Sequence, residues 1–452
     1  MASPLISAIL AVMHDSSWPA GPAAPHAPPV AVLWDESLLW GIMLFRALSF
    51  LGVPFRMVKA AEIEEDLLGS DPPKVLMVPG GFASRKARAL GPRGIKAVQT
   101  FVRCGGDYVG FCGGAGLALS PQAEPGGLGL CPWKRKPMPD RLPNFSGHIG
   151  LTLQPGSLLE PTGAGTAIQA PVWWPSQFQP GNGHLVRVVA RYGPPCSDFW
   201  VADLPAGDMT RDELTWWEGV YGINLNPELL RNDPCILQGR CGQGRFLLSY
   251  AHLESPNSPQ ANACLVQLLA PYLETACQAV PVPEWSLQGT VPAWDAPVLT
   301  SIRQILDEVA TLGQSHFLLC WRSPWLLGWK RGIPGFALNT LLALVNQILE
   351  LPPSEGTTSL LRHRAGTIMA MARQFQDMIC TYLAEEKKLA LRRKGAPAST
   401  GADELQRLRQ DLVGPFPGQG GLYGRMAQEL DQLLWTQLPG HCEQGWTERL
   451  HG

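Results

Sequence analysis

Residues 105–114 read Gly-Gly-Asp-Tyr-Val-Gly-Phe-Cys-Gly-Gly, a glycine turn followed by an apolar run that leads into Cys112. The run Asp107–Phe111 predicts a short buried strand, and Ala115–Leu119 predicts a helix just after the cysteine. A glycine-flanked cysteine between a strand and a helix has the form of a nucleophile elbow, a tight turn that exposes one side chain above a sheet. Free N–H groups at the helix N-terminus favour the reactive thiolate, so Cys112 is the candidate nucleophile.

The segments before this turn alternate between apolar strands and helices. The predicted strands are Val30–Trp34, Phe55–Lys59 and Val75–Val78, and the predicted helices are Leu38–Leu51 and Gly94–Arg103. This alternation is typical of a doubly wound α/β fold with a mostly parallel sheet. Further along, strand-like runs dominate from about Leu151 to Asp203, and a last buried strand at Phe246–Tyr250 precedes a helix at Pro259–Leu273.

The composition of the chain changes after residue 276. The segment 277–297 is proline-rich and lacks an apolar period, which predicts a linker. Apolar residues then recur at helical spacing, which predicts an all-helical C-terminal domain. The expected organisation is a disordered extension at 1–29, an α/β domain at 30–276, the linker, a helical domain at 298–440 and a tail at 441–452.

A second glycine turn, Val78-Pro79-Gly80-Gly81, ends the strand that precedes the elbow. In a doubly wound sheet the two turns lie side by side at the carboxyl edge of the strands, where ligands bind. The N–H groups of Gly81 and Gly113 are therefore candidates to stabilise an oxyanion, and Gly80 is a candidate for substrate binding.

A cysteine nucleophile of this kind needs a base, and His252 follows the last short strand with Glu254 two residues on. Extended residues two apart share a face, so Glu254 is placed to hold the imidazole in the tautomer that accepts the thiol proton. A histidine followed two residues later by a glutamate also occurs at 441–443, but no strand is predicted before it. This second pair is interpreted as a chance occurrence.

Three motifs, VPGG at 78–81, GGDYVGFCGG at 105–114 and GRFLLSYAHLE at 244–254, resemble in this order the class I glutamine amidotransferase superfamily. Within it, the likeness is closest to the amidotransferase-like domain named after the N-terminal region of biotin-protein ligases, and it covers about residues 30–275. The resemblance implies a flavodoxin-like sheet with Cys112 as nucleophile, His252 as base and Glu254 as orienting acid.

The chain departs from that superfamily at Gly116, because glutamine-using members usually carry a glutamine there that helps to hold the substrate. The glycine- and arginine-rich segment 239–245 superficially resembles a loop of the biotin-ligase catalytic domain. Its position favours another interpretation, the turn before the strand that leads to His252.

Other residues admit two interpretations each. Asp35 and Glu36 end the first strand, either to tune the ionisation of the cysteine or as an acidic pair at a helix N-terminus. Aromatic residues of the first part either wall a substrate pocket or serve as core and surface cover, and those of the second part either face a partner or pack inside the helical bundle. They are Trp173, Trp174, Trp216, Trp217 and Tyr221 in the first part, and Trp321, Trp325 and Trp329 at helical spacing in the second.

Charge and cysteine usage give no sign of a polyanionic partner or a metal. The net charge is −2, so neither nucleic acid nor a membrane is expected as a partner. The eleven cysteines form no CxxC pair and no cluster at zinc-ligand spacing, which predicts reduced thiols in the cytoplasm and no metal. The apolar run 333–351 carries polar residues that favour a buried helix over a membrane span.

These observations predict a cysteine-dependent hydrolase or amidotransferase that cleaves an amide-type bond through a thioester, without a metal or organic cofactor. The substrate is a small molecule or an amide. The alternative is a non-catalytic ligand-binding or scaffold module, whose helical region docks a protein partner. A third hypothesis is an amidase subunit whose acceptor site lies on another protein.

Overall fold

The computed structural model describes residues 28–69, 72–121, 126–157, 159, 167–181, 185–274, 280–392, 401–415 and 418–438. The chain divides into two compact units, one up to Pro283 and the other from Glu284. The predicted N-terminal extension, apart from residues 28 and 29, lies outside the described residues, as does the predicted tail at 441–452.

The first unit contains twelve strands and six helices within the described residues. The strands are β1 (Val30–Leu33), β2 (Phe55–Val58), β3 (Val75–Val78), β4 (Asp107–Phe111), β5 (Lys134–Arg135), β6 (Phe145–Leu153), β7 (Ala167–Trp173), β8 (Phe178–Gln179), β9 (Val186–Pro195), β10 (Trp200–Val201), β11 (Pro234–Cys241) and β12 (Gly244–Ser249). The helices are α1 (Leu38–Phe50), α2 (Ala60–Glu65), α3 (Ala83–Arg103), α4 (Gly113–Ala118), α5 (Arg211–Tyr221) and α6 (Pro259–Leu269), with short 3₁₀ helices at Met138–Asp140, Pro227–Leu230 and Ala270–Tyr272.

Five strands of the main sheet are parallel and lie in the order β2-β1-β3-β4-β12. This is the order of a flavodoxin-like sheet. Every residue of β1, β3 and β4 is buried, as expected for central parallel strands covered on both faces. The predicted α/β fold class is confirmed.

The sheet continues beyond β12 with antiparallel strands in the order β11-β9-β6-β10, and β7 pairs with β6. Strands β11 and β12 form a hairpin with Cys241 opposite Gly244. Gly242 in its turn has a φ of +64°, a left-handed conformation that favours glycine. The interpretation of 239–245 as a turn before the strand that leads to His252 is thus confirmed.

Among its described residues, the second unit is helical apart from one hairpin. Its elements are α7 (Pro297–Ser315), β13 (Leu319–Ser323), β14 (Leu326–Trp329), α8 (Gly335–Glu350), α9 (Glu355–Arg392), α10 (Gly401–Val413) and α11 (Gly421–Trp435). Helix α8 is almost wholly buried, which confirms the interpretation of the run at 333–351. No helix in the described part of the chain is long and apolar enough to cross a membrane.

The helical interpretation of Trp321, Trp325 and Trp329 is wrong, because the three residues lie on the β13–β14 hairpin. Pro324 occupies its turn, where a proline ends any helical continuation. The Trp325 ring is buried and stacks on Trp285 at a centroid distance of 5.8 Å, so Trp325 packs inside its unit.

Candidate active site

The candidate site residues follow neighbouring parallel strands at one edge of the sheet. Glu36 follows β1, Gly80 and Gly81 follow β3, Cys112 follows β4, and His252 follows β12. Because the carboxyl ends of parallel strands meet at the same edge, the fold brings residues far apart in sequence to one place.

Cys112 lies between β4 and α4 in an unusual backbone conformation. Its φ of +47° and ψ of −102° are costly for a residue other than glycine. The Cys112 N–H donates a hydrogen bond of 2.7 Å to the carbonyl oxygen of Ser249 at the end of β12. The side chain is buried, with the residue 7% exposed. The elbow is therefore held directly by the strand that leads to His252.

The glycines around Cys112 are required by close backbone packing. A Cβ atom on Gly110 would lie 2.6 Å from the Gly114 carbonyl carbon. A Cβ on Gly113 would lie 2.0 Å from the carbonyl oxygen of Gly81, and one on Gly114 would lie 2.0 Å from that of Val78. The two glycine turns thus lie against each other, as the sequence predicts.

The N–H groups of Gly81 and Gly113 donate no hydrogen bond within the described part of the chain. Gly81 has a φ of +117°, and its nitrogen lies 2.9 Å from the position of a Cβ on Gly113. The two N–H groups predicted to form an oxyanion site therefore belong to neighbouring turns. Gly80 packs under the Trp40 ring, where an added Cβ would lie 2.5 Å from the ring carbon Cγ.

His252 and Glu254 form a buried pair after β12. The His252 Nδ1 lies 2.7 Å from Glu254 Oε1, and both side chains are 0% exposed. The His252 N–H donates to the carbonyl oxygen of Pro171 on β7, which fixes the backbone of the pair. The His252 Nε2 is buried and has no hydrogen-bond partner among the described residues. The carboxylate at Nδ1 orients the ring so that Nε2 is the atom available for proton transfer.

The surroundings of His252 favour its charged form. Burial lowers the pKa of the imidazole, but the Glu254 carboxylate and the Cys112 thiol outweigh burial and raise this pKa from 6.5 to about 10. These surroundings therefore favour the protonated form of His252 near neutral pH.

We expect carbon-13 NMR of the His252 ring to show a titration near pH 10, well above that of histidine in an unstructured peptide. A raised folded-state pKa stabilises the protein fully below pH 6.5, and this stabilisation is lost as the pH rises through about 10. Glu254→Gln removes the charge that raises the pKa, so the titration of His252 should move to lower pH. If His252 titrates at the same pH in Glu254→Gln as in the unmodified chain, the Glu254 carboxylate does not raise the pKa of His252.

The Trp173-Trp174 segment covers Cys112 with its backbone. The Cys112 Sγ lies 3.8 Å from the carbonyl oxygen of Trp173 and 3.9 Å from that of Trp174. The Trp173 Nε1 donates to Ser255 Oγ at 2.7 Å, and the Trp174 ring meets the Trp40 ring edge-on at 6.2 Å. The predicted pocket wall at Trp173 and Trp174 thus lies beside Cys112.

The other predicted aromatic residues lie together on α5. The ring of Trp217 contacts those of Trp216 and Tyr221 at centroid distances of 4.8 and 5.2 Å, and Trp216 is exposed. No contact between these rings and Cys112 is observed in the described residues.

The acidic residues after β1 have other partners than the cysteine. Glu36 Oε2 accepts from Arg85 Nη1 at 3.1 Å, and both side chains are partly exposed. Asp35 Oδ2 accepts from the N–H of Ala60 at 2.7 Å. Asp35 therefore lies at the N-terminus of α2, where a carboxylate is favourable.

Lys86 is a buried residue near the site that the sequence does not single out. Its Nζ donates to the carbonyl oxygen of Asp35 at 2.9 Å and to Ser37 Oγ at 2.5 Å. Its Cε lies 3.2 Å from the position of a Cβ on Gly81. Lys86 thus supports the Gly81 turn, and it gives no sequence signal because it lies among other basic residues at the start of α3.

No family model and no curated protein matches this chain. Among solved structures, a GMP synthase component from Thermoplasma acidophilum is 12% identical, with a TM-score of 0.35, and covers 55% of this chain and 96% of its own. A ThuA-like protein from Bacteroides uniformis is 12% identical, with a TM-score of 0.34, and covers 57% of this chain and 97% of its own. A β-galactosidase from Bacillus circulans is 13% identical, with a TM-score of 0.32, and covers 54% of this chain and 30% of its own. Likenesses at this level assign neither a family nor an activity to the chain.

Proposed function

We propose that the first unit is a cysteine-dependent hydrolase or amidotransferase-like enzyme that acts on an amide-type bond through Cys112, His252 and Glu254. The observation that carries the proposal is the buried His252–Glu254 pair at 2.7 Å, together with the thiol that raises the pKa of the same imidazole. A cysteine, a base and an orienting acid are the groups that nucleophilic catalysis needs.

In this mechanism the Cys112 thiolate attacks the carbonyl carbon of the amide. The N–H groups of Gly81 and Gly113 stabilise the oxyanion, and His252 gives its proton to the nitrogen of the leaving amine. Water, deprotonated by His252, then hydrolyses the thioester and releases a carboxylic acid. Glu254 keeps the ring of His252 oriented through both steps.

The aromatic residues beside the Cys112 elbow indicate which class of substrate is favoured. Trp40 and Trp174 place two aromatic rings next to the elbow, and rings of this kind favour a substrate with an apolar or planar group near the amide. Gly116 offers no side-chain contact to a glutamine substrate. The proposed substrate is therefore an amide other than free glutamine.

The test is residue-resolved mass spectrometry after treatment of the full chain with limiting iodoacetamide near neutral pH. Cys112 should react faster than the exposed Cys104 and Cys320, because thiolate content outweighs exposure. His252→Ala should slow the reaction of Cys112 at least about tenfold and leave the other two unchanged. Equal rates at Cys112 and Cys104, or no effect of His252→Ala, would overturn the proposal.

A non-catalytic binding or scaffold module is the second candidate, and one observation favours it. The Cys112 Sγ faces two carbonyl oxygens, whose partial negative charge opposes a thiolate. If Cys112 proves unreactive while the chain stays folded, this arrangement explains the result, and the α/β unit is then a ligand-binding module.

A further inference from the structure

A second hydrogen-bonded set of catalytic residue types lies in the first unit, apart from Cys112. It joins His148 on β6, Asp198 in the turn between β9 and β10, and Ser258 directly before α6. The His148 Nδ1 lies 2.7 Å from Asp198 Oδ2, and the His148 Nε2 lies 3.1 Å from Ser258 Oγ. These residues are separated by 50 and 110 positions in the sequence. The order carboxylate, imidazole, hydroxyl is that of a serine nucleophile with its base and orienting acid.

Asp198 is held so that it fixes the ring of His148. Its Oδ1 accepts the backbone N–H of His148 at 3.0 Å, while its Oδ2 faces the ring nitrogen Nδ1. A carboxylate at Nδ1 requires the proton on that nitrogen. In the neutral ring, Nε2 is then an acceptor that faces the Ser258 hydroxyl.

Ser258 does not perform the usual task of a serine at its position. It occupies the N-cap of α6, where a serine side chain normally accepts an N–H from the first turn, but it makes no such bond. Its hydroxyl instead donates to the carbonyl oxygen of Pro256 at 3.1 Å and lies at the same distance from His148 Nε2. Because a hydroxyl carries one proton, the proton must rotate from the Pro256 carbonyl to His148 Nε2 before the serine can react. A capping role therefore does not explain the hydroxyl.

The start of α6 has backbone N–H groups two and three residues after Ser258. Pro259 has no N–H, and the N–H groups of Gln260 and Ala261 donate no hydrogen bond within the described part of the chain. Ser258 is 3% exposed, whereas the side chains of His148 and Asp198 are 30% and 51% exposed. Solvent therefore reaches the base, and the nucleophile lies just beneath it.

We propose that Ser258, His148 and Asp198 form a serine-nucleophile site for a carboxylic ester. The Ser258 Oγ forms a bond to the acyl carbon as its proton passes to His148 Nε2. The N–H groups of Gln260 and Ala261 bind the oxyanion. When the C–O bond of the ester breaks, the leaving alkoxide takes the proton from His148. Water, deprotonated by His148, then cleaves the acyl-serine to a carboxylic acid and restores the hydroxyl.

The test treats the full chain with a fluorophosphonate probe and locates the adduct by peptide mass spectrometry. The expected adduct is on Ser258. Because general-base assistance is worth about 10²–10⁴-fold, His148→Asn and Asp198→Asn should each slow labelling at least about tenfold. Ser197→Ala, at an exposed neighbouring serine, and Cys112→Ala should leave the rate unchanged. The Cys112→Ala control separates this site from the proposed cysteine enzyme.

No adduct on Ser258, or an adduct that forms at the same rate in Asp198→Asn, would overturn the proposal, because the hydroxyl would then be unactivated. Asp198→Asn keeps the size of the side chain and changes a partly exposed residue in a turn, so it tests the site without altering the buried Ser258. Thermal unfolding of each variant checks that a slower rate does not arise from lost structure.

Discussion

Glu254→Ala is expected to lower the free energy of unfolding by about 3–5 kcal/mol at neutral pH, because it leaves the buried His252 without its carboxylate. Both side chains are 0% exposed and lie 2.7 Å apart, so the substitution leaves the imidazole buried without its charged partner. Urea denaturation, monitored by tryptophan fluorescence, measures the difference from the unmodified chain.

The matched control is Glu228→Ala, which breaks the exposed pair of Glu228 with Arg231 at 2.8 Å. An exposed pair contributes only about 0–1 kcal/mol, so this variant should unfold close to the unmodified chain. The double variant His252→Ala with Glu254→Ala should be less destabilised than the sum of the two single variants, because it leaves no charge unpaired. Similar costs for Glu254→Ala and Glu228→Ala would show that the buried pair carries no charge.

Gly113→Ala is expected to destabilise the first unit by about 3 kcal/mol, the upper part of the range for overpacked positions. The added Cβ would lie 2.0 Å from the carbonyl oxygen of Gly81, a backbone atom that moves only if the whole turn moves. Gly116→Ala on the same helix is the control, because its Cβ would meet only the Cβ of Ala83 at 3.4 Å. Alanine also favours the helix over glycine, so Gly116→Ala should gain about 0.5–1 kcal/mol.

The measurement is the urea concentration at the midpoint of unfolding of each variant. The two midpoints are comparable when the free energy of unfolding depends on urea concentration equally in both variants. Opposite signs for the two substitutions are the expected pattern. If both substitutions change the free energy of unfolding by the same small amount, Gly113 and Gly81 do not approach each other as closely in solution as they do here.

The parallel half of the fold is predictable from the sequence because its signals are local. Strands β1, β3 and β4 are short apolar runs bounded by turn residues. Because these strands are buried on both faces, their apolar residues follow one another and do not alternate with polar ones. The extension β11-β9-β6-β10 is not predictable in the same way, because antiparallel pairing between distant segments leaves no period that identifies the partner.

The difference between local signals and distant pairing also applies to the candidate site residues. Cys112 is marked by its flanking glycines, and His252 and Glu254 are marked by a two-residue spacing after a strand. The partners of Ser258 lie 60 and 110 positions away, on a turn and on another strand, and no spacing rule joins them. The Trp173 and Trp174 carbonyls that face the thiol leave no trace in the sequence either, because any residue type carries a carbonyl.

The register of β12 against β4 has a consequence for redesign of the site. Ser249 lies opposite Phe111, and the Cys112 N–H is hydrogen-bonded to Ser249, so the backbone alone sets the height of the elbow relative to the segment that carries His252. The side chain at 112 therefore does not set this spacing, and Cys112→Ser is expected to keep the backbone geometry of the turn. Another side chain can thus be placed at position 112 without changing its height relative to the segment that carries His252.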